Sequence, residues 1–273
     1  MPRVQILIRF GYDGGRFHGV PRQPGLPTTG GALYARLTAA FSQPPHALQF
    51  TSRTDGGVHA IANLATAWFP GPQDTDTALE ALAEERDDGL VGVRGAVVSR
   101  DTHARGISKG KHYRYVVRTG LSAEALDALN ARISWRARSA ERRGEVPPLC
   151  DPEVARWHIH PNLDVSAMHR AASHLTGTHN FVALRSPRCT AVNTTRTLYS
   201  IDITTEGDIV SFDIRGSAFL RQMIRILVGT LIEVGTGLRD PDSLPALLES
   251  CARRNAGFTA PSRGLTLVAV LTE

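Results

Sequence analysis

The sequence lacks several features that would assign it to a familiar class of protein. It has only three cysteines in 273 residues, far apart and odd in number, which argues against a disulfide framework and a CxxC zinc knuckle. Its most apolar segment, MIRILVGTLIEVG, is interrupted by Arg225 and Glu233, so no run approaches the length of a membrane span. The first residues are too charged, and their apolar stretch too short, for a secretory signal. We therefore expect a cytoplasmic protein.

Motifs for metal and nucleotide chemistry are also missing. The ten histidines are scattered, and neither HExxH nor HxE with a downstream CxxC occurs, so the sequence predicts no metal site. There is no GxGxxG after a strand, no GxxxxGK[ST] loop and no GxSxG elbow. Nucleotide cofactors and serine hydrolase chemistry are therefore without support, and we expect no cofactor.

The composition instead indicates a basic globular protein. Hydrophobic residues make up 42% of the chain, which is enough to bury a substantial core. Lys and Arg number 31 against 26 Asp and Glu, and this formal charge of +5 favours polyanionic partners without proving any. Residues 132–143 carry five arginines and one glutamate. This stretch is either a solvated surface or a contact with phosphates, and the sequence leaves both open.

Hydrophobic patterning predicts two related α+β halves. Strand-like runs and amphipathic segments alternate in similar order in residues 1–105 and 106–273, which we interpret as two domains. The second half is predicted to contain a helix closed by Gly177, a hairpin turning at 206–208 and a buried helix over 219–234. We predict two lobes with a cleft between them.

The segment TSRTDGGVHA, residues 51–60, lies in the connection between two predicted strands, where functional residues are commonly displayed. Asp55 follows Arg53 by two residues and precedes two glycines, so its carboxylate could be presented with little bulk around it. The alternative is an Asx-turn, in which Asp55 only accepts hydrogen bonds from nearby backbone N–H groups. The motif alone does not decide between these roles.

Two arginines fall in the predicted buried helix. Arg225 is surrounded by apolar positions and must reach a partner, for which a carboxylate is the natural choice. Arg221 is placed one turn earlier on nearly the same face. Either side chain could therefore line a functional cleft, extend to the surface or contact an RNA phosphate.

A pair of tyrosines alternates with basic residues in the strand-like segment KHYRY. Tyr113 and Tyr115 should point to one face of this strand, and His112 and Arg114 to the other. Core packing is the default role for such tyrosines. A hydroxyl that borders a cleft, or a ring on which a base stacks, is the alternative.

Taken together, these motifs resemble the TruA family of tRNA pseudouridine synthases. SRTDGGVHA matches the family signature GRTDxGVHA, with Ser52 in place of the usual glycine. DTHAR at 101–105 is similar to the family's D-F-H-A-R, KHYRY at 111–115 to its K/R-x-Y-x-Y strand, and GSAFLRQMIRILVG at 216–229 to its conserved helix. The likeness spans almost the whole chain, and several spaced motifs are more specific than one.

The resemblance implies an isomerase that converts uridine to pseudouridine in tRNA, commonly at positions 38–40 of the anticodon arm. It implies that Asp55 is the catalytic carboxylate, that Tyr113 packs against the flipped base and that Arg225 pairs with the aspartate. Arg53 would enter the RNA as the uridine is flipped out. The other RNA-binding residues that we expect are Arg105, Lys111 and Arg221.

The resemblance also implies a fold of two RRM-like lobes with a mainly antiparallel sheet and a basic cleft, usually as a homodimer. The reaction breaks the N1–C1′ bond and rejoins the uracil through C5, so it is redox neutral and needs no cofactor. An ionised carboxylate could attack C1′ or remove the C2′ proton, and both routes stay open.

Three departures from the family pattern bear on RNA contacts rather than on this chemistry. Val20-Pro21 replaces Trp-Gln, Gly30-Gly31 replaces Val-Gln, and Thr102 replaces a phenylalanine. Two other functions stay open from the sequence. One is a tRNA-binding or folding protein with lost or incidental synthase activity, and the other is an aspartate-nucleophile hydrolase that would need a metal site.

Overall fold

The computed structural model describes residues 3–70, 74–120, 157–158 and 163–272, and the arginine-rich stretch at 132–143 lies outside these ranges. The helices are α1 (Thr29–Ala40), α2 (Thr75–Ala83), α3 (Val165–Ser173), α4 (Met223–Gly235) and α5 (Leu244–Ser250). The strands are β1 (Arg3–Tyr12), β2 (Ala47–Phe50), β3 (His59–Pro70), β4 (Leu90–Val98), β5 (Gly110–Arg118), β6 (Trp157–His158), β7 (Gly177–Asn180), β8 (Thr195–Glu206), β9 (Ile209–Gly216) and β10 (Leu265–Leu271).

The chain divides into two compact units. The first contains Met1–Lys111 together with Thr266–Glu273, and the second contains His112–Leu265. Strand pairing within the units is mainly antiparallel, and helices are interspersed with the strands, which confirms the predicted α+β class. The domain boundary between residues 105 and 106 stays a prediction.

The first unit is built around β1, which pairs antiparallel with β3 on one side and β4 on the other. Strand β2 pairs with the far edge of β3, and β10 runs parallel to the start of β3. Ile6, Ile8 and Phe10 alternate along β1 and are fully buried, as expected for a strand with one face in a core. The eight residues that join β2 to β3 are therefore held at both ends by a paired strand.

Helices α1 and α2 of this unit begin where a side chain supplies the missing hydrogen-bond partner of the first turn. The Thr28 side chain accepts a hydrogen bond from the Gly31 N–H, and the Asp74 side chain accepts one from the Thr77 N–H. Each helix therefore begins at a residue whose side chain satisfies a backbone N–H of its first turn.

The second unit contains strands in the order β5, β9, β8, β7, with β6 parallel to the end of β5. Strands β8 and β9 form the predicted hairpin, since Glu206 pairs with Ile209 across the two-residue loop. Helix α4 is buried on nearly every side, as its apolar sequence predicted. It begins at Met223 rather than at Phe219, because Gln222 adopts a left-handed conformation with φ of 59° that a helix cannot continue through.

The predicted helix cap at Gly177 is wrong. Helix α3 ends at Ser173, and His174 caps it in a right-handed conformation. Gly177 lies at the start of β7 with φ of 106°, a conformation that suits glycine, so it serves the entry into a strand.

Candidate active site

The segment that carries Asp55 is an irregular connection between β2 and β3, as predicted. Its side chains alternate in exposure: Ser52 and Thr54 are buried, whereas Arg53 is exposed and Asp55 is half-buried. The Val58 N–H donates to the Asp55 carbonyl oxygen at 3.3 Å and closes the turn. The buried positions anchor the segment, and the positions between them face away from the core.

Buried hydrogen bonds between uncharged groups hold this segment on the side that faces the core. The Tyr12 hydroxyl lies 2.8 Å from Thr54 Oγ1, on the residue directly before Asp55. Asn63, which is fully buried on β3, donates through Nδ2 to the Tyr12 hydroxyl at 3.3 Å and to the Ser52 carbonyl oxygen at 3.0 Å. We call Tyr12, Asn63, Ser52 and Thr54 the neutral network. Sequence reasoning missed it, although a polar residue inside the apolar run of β3 was a signal.

Residues 17–20 brace the segment from another side. The Val20 N–H donates to the Thr54 carbonyl oxygen at 3.4 Å, and the Gly57 N–H donates to the Phe17 carbonyl oxygen at 3.3 Å. Gly19, with φ of 95°, lies so close that a Cβ atom there would be 3.1 Å from the Thr54 carbonyl oxygen. The two backbones can approach in this way because residue 19 has no side chain.

Arg105 is displayed on a loop that is tied to the same part of the first unit. The Thr51 hydroxyl donates to the Ala104 carbonyl oxygen at 2.9 Å, and the Ala104 N–H donates to Thr66 Oγ1 at 3.3 Å. Arg105 is exposed, and Lys111 is half-buried at the start of β5. Arg105 thus follows a buried anchor that also holds the start of the Asp55 segment.

The two tyrosines of β5 have different surroundings in the second unit. Tyr113 is 7% exposed and packs edge to face against Phe219, with ring centroids 5.4 Å apart. Tyr115 is fully buried and donates to the Pro261 carbonyl oxygen at 2.7 Å. Burial raises the pKa of the Tyr115 hydroxyl far above its usual value, although the charges of Arg225 and Arg263 act in the opposite direction. Core packing therefore explains Tyr115.

The basic residues of β5 lie on the other face, as the alternation predicted, and share one carboxylate. His112 Nε2 lies 2.5 Å from Asp213 Oδ1, and Arg114 binds the same carboxylate through Nε at 3.1 Å. Burial alone would raise the pKa of Asp213, but hydrogen bonds and positive charge from Arg114 and His112 outweigh it and hold the pKa below its usual value. We call Asp213, His112 and Arg114 the charged triad. Sequence reasoning missed Asp213.

Arg225 is fixed on helix α4 by backbone partners. Its Nε donates to the Ala260 carbonyl oxygen at 2.7 Å, and the Ala260 N–H donates to the Arg225 carbonyl oxygen at 3.0 Å. One turn further along α4, a Cβ atom at Gly229 would collide with the Phe258 carbonyl oxygen. Glycine at this position therefore lets residues 258–260 pack against the helix. The orientation of the guanidinium is thereby set.

Arg221 is not on the helix that was predicted to carry it. It lies in the turn before α4, where its side chain is exposed and its Nη1 lies 3.5 Å from the Arg188 carbonyl oxygen. The apolar run that suggested a longer helix includes Phe219, whose ring packs against Tyr113, and the buried Leu220, and both residues precede the helix. Arg221 and Arg225 therefore do not share a helix face.

The structure thus places Arg53, Asp55, Arg105 and Lys111 in the first unit and Tyr113, Arg221 and Arg225 in the second. Within the described ranges, no group of three or more His, Cys, Asp or Glu side chains could hold a metal ion. Within the same ranges, every helix is too short or too polar to cross a membrane.

Comparison with known proteins gives a consistent result. A family model described as tRNA pseudouridine synthase matches residues 171–271. The chain is 34% identical to tRNA pseudouridine synthase A of Geotalea uraniireducens over 274 residues, which cover 99% of each protein. It is also 34% identical to the proteins of that name from Syntrophotalea carbinolica, covering 99% of this chain and 96% of the relative, and Acetivibrio thermocellus, covering 99% of each. The chain therefore belongs to the TruA family of tRNA pseudouridine synthases.

Proposed function

We propose that Asp55 is the carboxylate with which this enzyme acts on its substrate. As a member of the TruA family, the protein is an isomerase that converts uridine in tRNA into pseudouridine. The observation that carries the assignment is the position of Asp55, half-buried in a turn whose neighbours Ser52 and Thr54 are anchored by buried hydrogen bonds. Such a carboxylate is oriented without being covered.

The chemistry requires one ionised carboxylate near the ribose of the target uridine. The Asp55 carboxylate would attack C1′, or remove the C2′ proton, as the N1–C1′ bond breaks. The uracil then turns and rejoins C1′ through C5, and the C5 proton leaves to a hydroxyl or to water. No electrons are exchanged with another molecule, because the substrate and the product are isomers.

Arg225 is the proposed partner that keeps this carboxylate ionised. A guanidinium beside an aspartate lowers the pKa of the acid and orients it through charge-assisted hydrogen bonds. The hydrogen bond from Arg225 Nε to Ala260 supports this role, because it fixes the plane of the guanidinium on α4.

Arg53 and Tyr113 are proposed to stabilise the RNA while the target uridine is flipped out. A stacked uridine cannot be reached by a side chain, so its place in the RNA must be filled and the extruded base must be held. Arg53 is exposed, which suits a side chain that enters the RNA. Tyr113 is supported by Phe219, which suits a ring against which a base packs.

The finer expectations remain predictions. These are a target in the anticodon arm at positions 38–40, two RRM-like lobes with a basic cleft, a homodimer and a cytoplasmic location. RNA contacts by Arg105, Lys111 and Arg221 belong with them. Site-resolved mapping of pseudouridine in tRNA from cells that lack the protein would test the target positions directly.

Replacement of Asp55 by asparagine tests the central assignment. Asp55→Asn keeps the shape of the side chain but removes its negative charge, so we expect pseudouridine formation to fall by about 10³-fold or more. The affinity for tRNA should stay close to that of the wild type. The assay uses purified protein and unmodified tRNA, with EDTA and no added nucleotide.

Asp76→Asn is the matched control, because Asp76 is an exposed carboxylate of the same unit and lies on α2, outside the family motifs. It should leave the rate unchanged. An Asp55→Asn enzyme that makes product at the wild-type rate would refute the assignment. A wild-type protein that binds tRNA but isomerises no uridine would instead favour the binding-protein alternative.

A further inference from the structure

One stretch of the second unit has several basic residues and no acidic residue in its sequence. Between Asp164 and Asp202 the sequence contains neither Asp nor Glu, but it contains several arginines. Of these, Arg188 is exposed, and in the described part of the chain it forms no ion pair. An exposed arginine without an acidic neighbour is available to an anion from outside the protein.

The turn that displays Arg188 is docked on the turn that displays Arg221. The Ser186 N–H donates to the Arg221 carbonyl oxygen at 3.0 Å, and Ser186 itself is 5% exposed. The Cys189 N–H then donates to the Ser186 carbonyl oxygen at 2.9 Å and closes the turn. Arg221 Nη1 lies 3.5 Å from the Arg188 carbonyl oxygen. We call Arg188 and Arg221 the basic rim.

The basic rim adjoins the segment that packs on Tyr113. Phe219, two residues before Arg221, is the ring that contacts Tyr113. Ser217 anchors the start of this segment, because its N–H donates to the Thr197 carbonyl oxygen at 2.9 Å. The segment is thus fixed at one end by β8 and at the other by the Arg188 turn. The rim therefore has a defined position relative to the face of β5 that carries Tyr113.

We propose that Arg188 and Arg221 bind phosphates of the tRNA strand next to the uridine held at Tyr113. The inference rests on the proposed role of Tyr113. Guanidinium groups bind phosphates strongly, and such contacts position an RNA strand without reading its sequence. The rim would set the register of the strand over the tyrosine, whereas the chemistry is carried out elsewhere.

Neutralising the rim tests this proposal through the salt dependence of binding. Each lost phosphate contact should reduce the slope of log Kd against log salt by about 0.7 to 0.9. We therefore expect Arg188→Gln and Arg221→Gln each to weaken tRNA binding several-fold near physiological salt, with reduced slopes. The double variant should lower the slope by about 1.5.

Arg215→Gln is the matched control. Arg215 lies on β9 two residues after Asp213, and therefore on the face of the charged triad rather than the face of Tyr113. The Arg215→Gln variant loses the same charge as the rim variants. In the wild type, however, Arg215 Nη1 binds Asp202 at 3.1 Å, so the slope of log Kd against log salt for Arg215→Gln should equal that of the wild type. Arg188→Lys and Arg221→Lys retain the charge and should restore most of the slope. A reduced slope that lysine does not restore would indicate a structural role for the arginine and would overturn the proposal.

Two further outcomes would overturn it. One is a rim variant whose affinity and slope match those of Arg215→Gln. The other is a variant whose rate at saturating tRNA falls while its slope is unchanged, because the residue would then act on chemistry. Failure of the Asp55 assignment is recognised separately, since it appears as activity in Asp55→Asn and leaves these binding slopes unaffected.

Discussion

The Asp55 segment and the Tyr113 strand are supported in physically different ways. On the core side of the Asp55 segment, the neutral network of Tyr12, Asn63, Ser52 and Thr54 makes uncharged hydrogen bonds. Behind Tyr113, the charged triad joins two basic side chains of β5 to one carboxylate on β9. One support is fully buried, whereas the other has Arg114 half in solvent.

This difference decides how each support responds to solution conditions. Uncharged buried hydrogen bonds are indifferent to salt and do not titrate near neutral pH. Ion pairs that reach the surface are weakened by salt and lost when the carboxylate is protonated. The support of the proposed catalytic carboxylate is therefore insensitive to salt and to pH near neutrality, whereas the support of the Tyr113 strand responds to both.

Loss of Asn63 should have the largest effect. Asn63→Ala removes the donor to Ser52 and Tyr12 and leaves a buried carbonyl oxygen without its partner, so the free energy of unfolding should fall by about 2 to 3 kcal/mol. The kcat for pseudouridine formation should fall as well, while KM for tRNA stays similar. Urea denaturation and steady-state kinetics measure the two effects.

Asn255→Ala is the control for this prediction, because the Asn255 side chain is exposed on the second unit. Its stability should stay within about 0.5 kcal/mol of the wild type. If Asn63→Ala lost stability but kept its kcat per folded molecule, the neutral network would support the fold without positioning Asp55.

Asp213→Asn should have the next largest effect. The variant weakens the hydrogen bonds to His112 and Arg114, and we expect a loss of about 2 kcal/mol at neutral pH. High salt should reduce the difference in the free energy of unfolding between this variant and the wild type, since part of the charged triad is exposed. The corresponding difference for Asn63→Ala should be independent of salt. Equal salt responses would contradict the distinction between the two supports.

The same variant gives a prediction for pH. The pKa of Asp213 is lower in the folded protein than the value of about 3.9 expected in the unfolded chain. Its stabilising contribution is therefore present above that unfolded value and lost as the pH falls through the folded pKa. The stability difference between wild type and Asp213→Asn should shrink as the pH falls below about 4. A difference in stability that grew below about pH 4 would contradict this assignment.

Local sequence pattern was sufficient for the parts of the site that depend on a single element. The strand alternation in KHYRY correctly put His112 and Arg114 on one face and the tyrosines on the other. The apolar run around Arg225 correctly predicted a buried helix, whereas the carboxylate partner expected for Arg225 stays a prediction. The strand-like runs on either side of the Asp55 segment correctly predicted that this segment connects two strands.

Pattern was insufficient where a residue is defined by a distant partner or a single backbone torsion. Asn63 contacts residues that precede it by 11 and 51 positions, and no periodicity encodes such pairs. The left-handed Gln222 ends the turn that holds Arg221, but glutamine gives no signal for that conformation. The error in placing Arg221 therefore came from one backbone torsion. For the same reason, the sequence did not indicate that Arg221 and Arg188 form the basic rim.

Tyr12→Phe should have the smallest effect, and it probes the neutral network at the link nearest to Asp55. The change removes only the hydroxyl between Thr54 and Asn63, so stability should fall by about 1 kcal/mol. If Thr54 positions the residue that follows it, kcat should fall several-fold with KM for tRNA unchanged. Its pH–stability curve should run parallel to that of the wild type, because no charge is lost. A rise in KM with kcat intact would mean that Tyr12 acts on RNA binding, and the neutral network would then lose its proposed connection to the carboxylate.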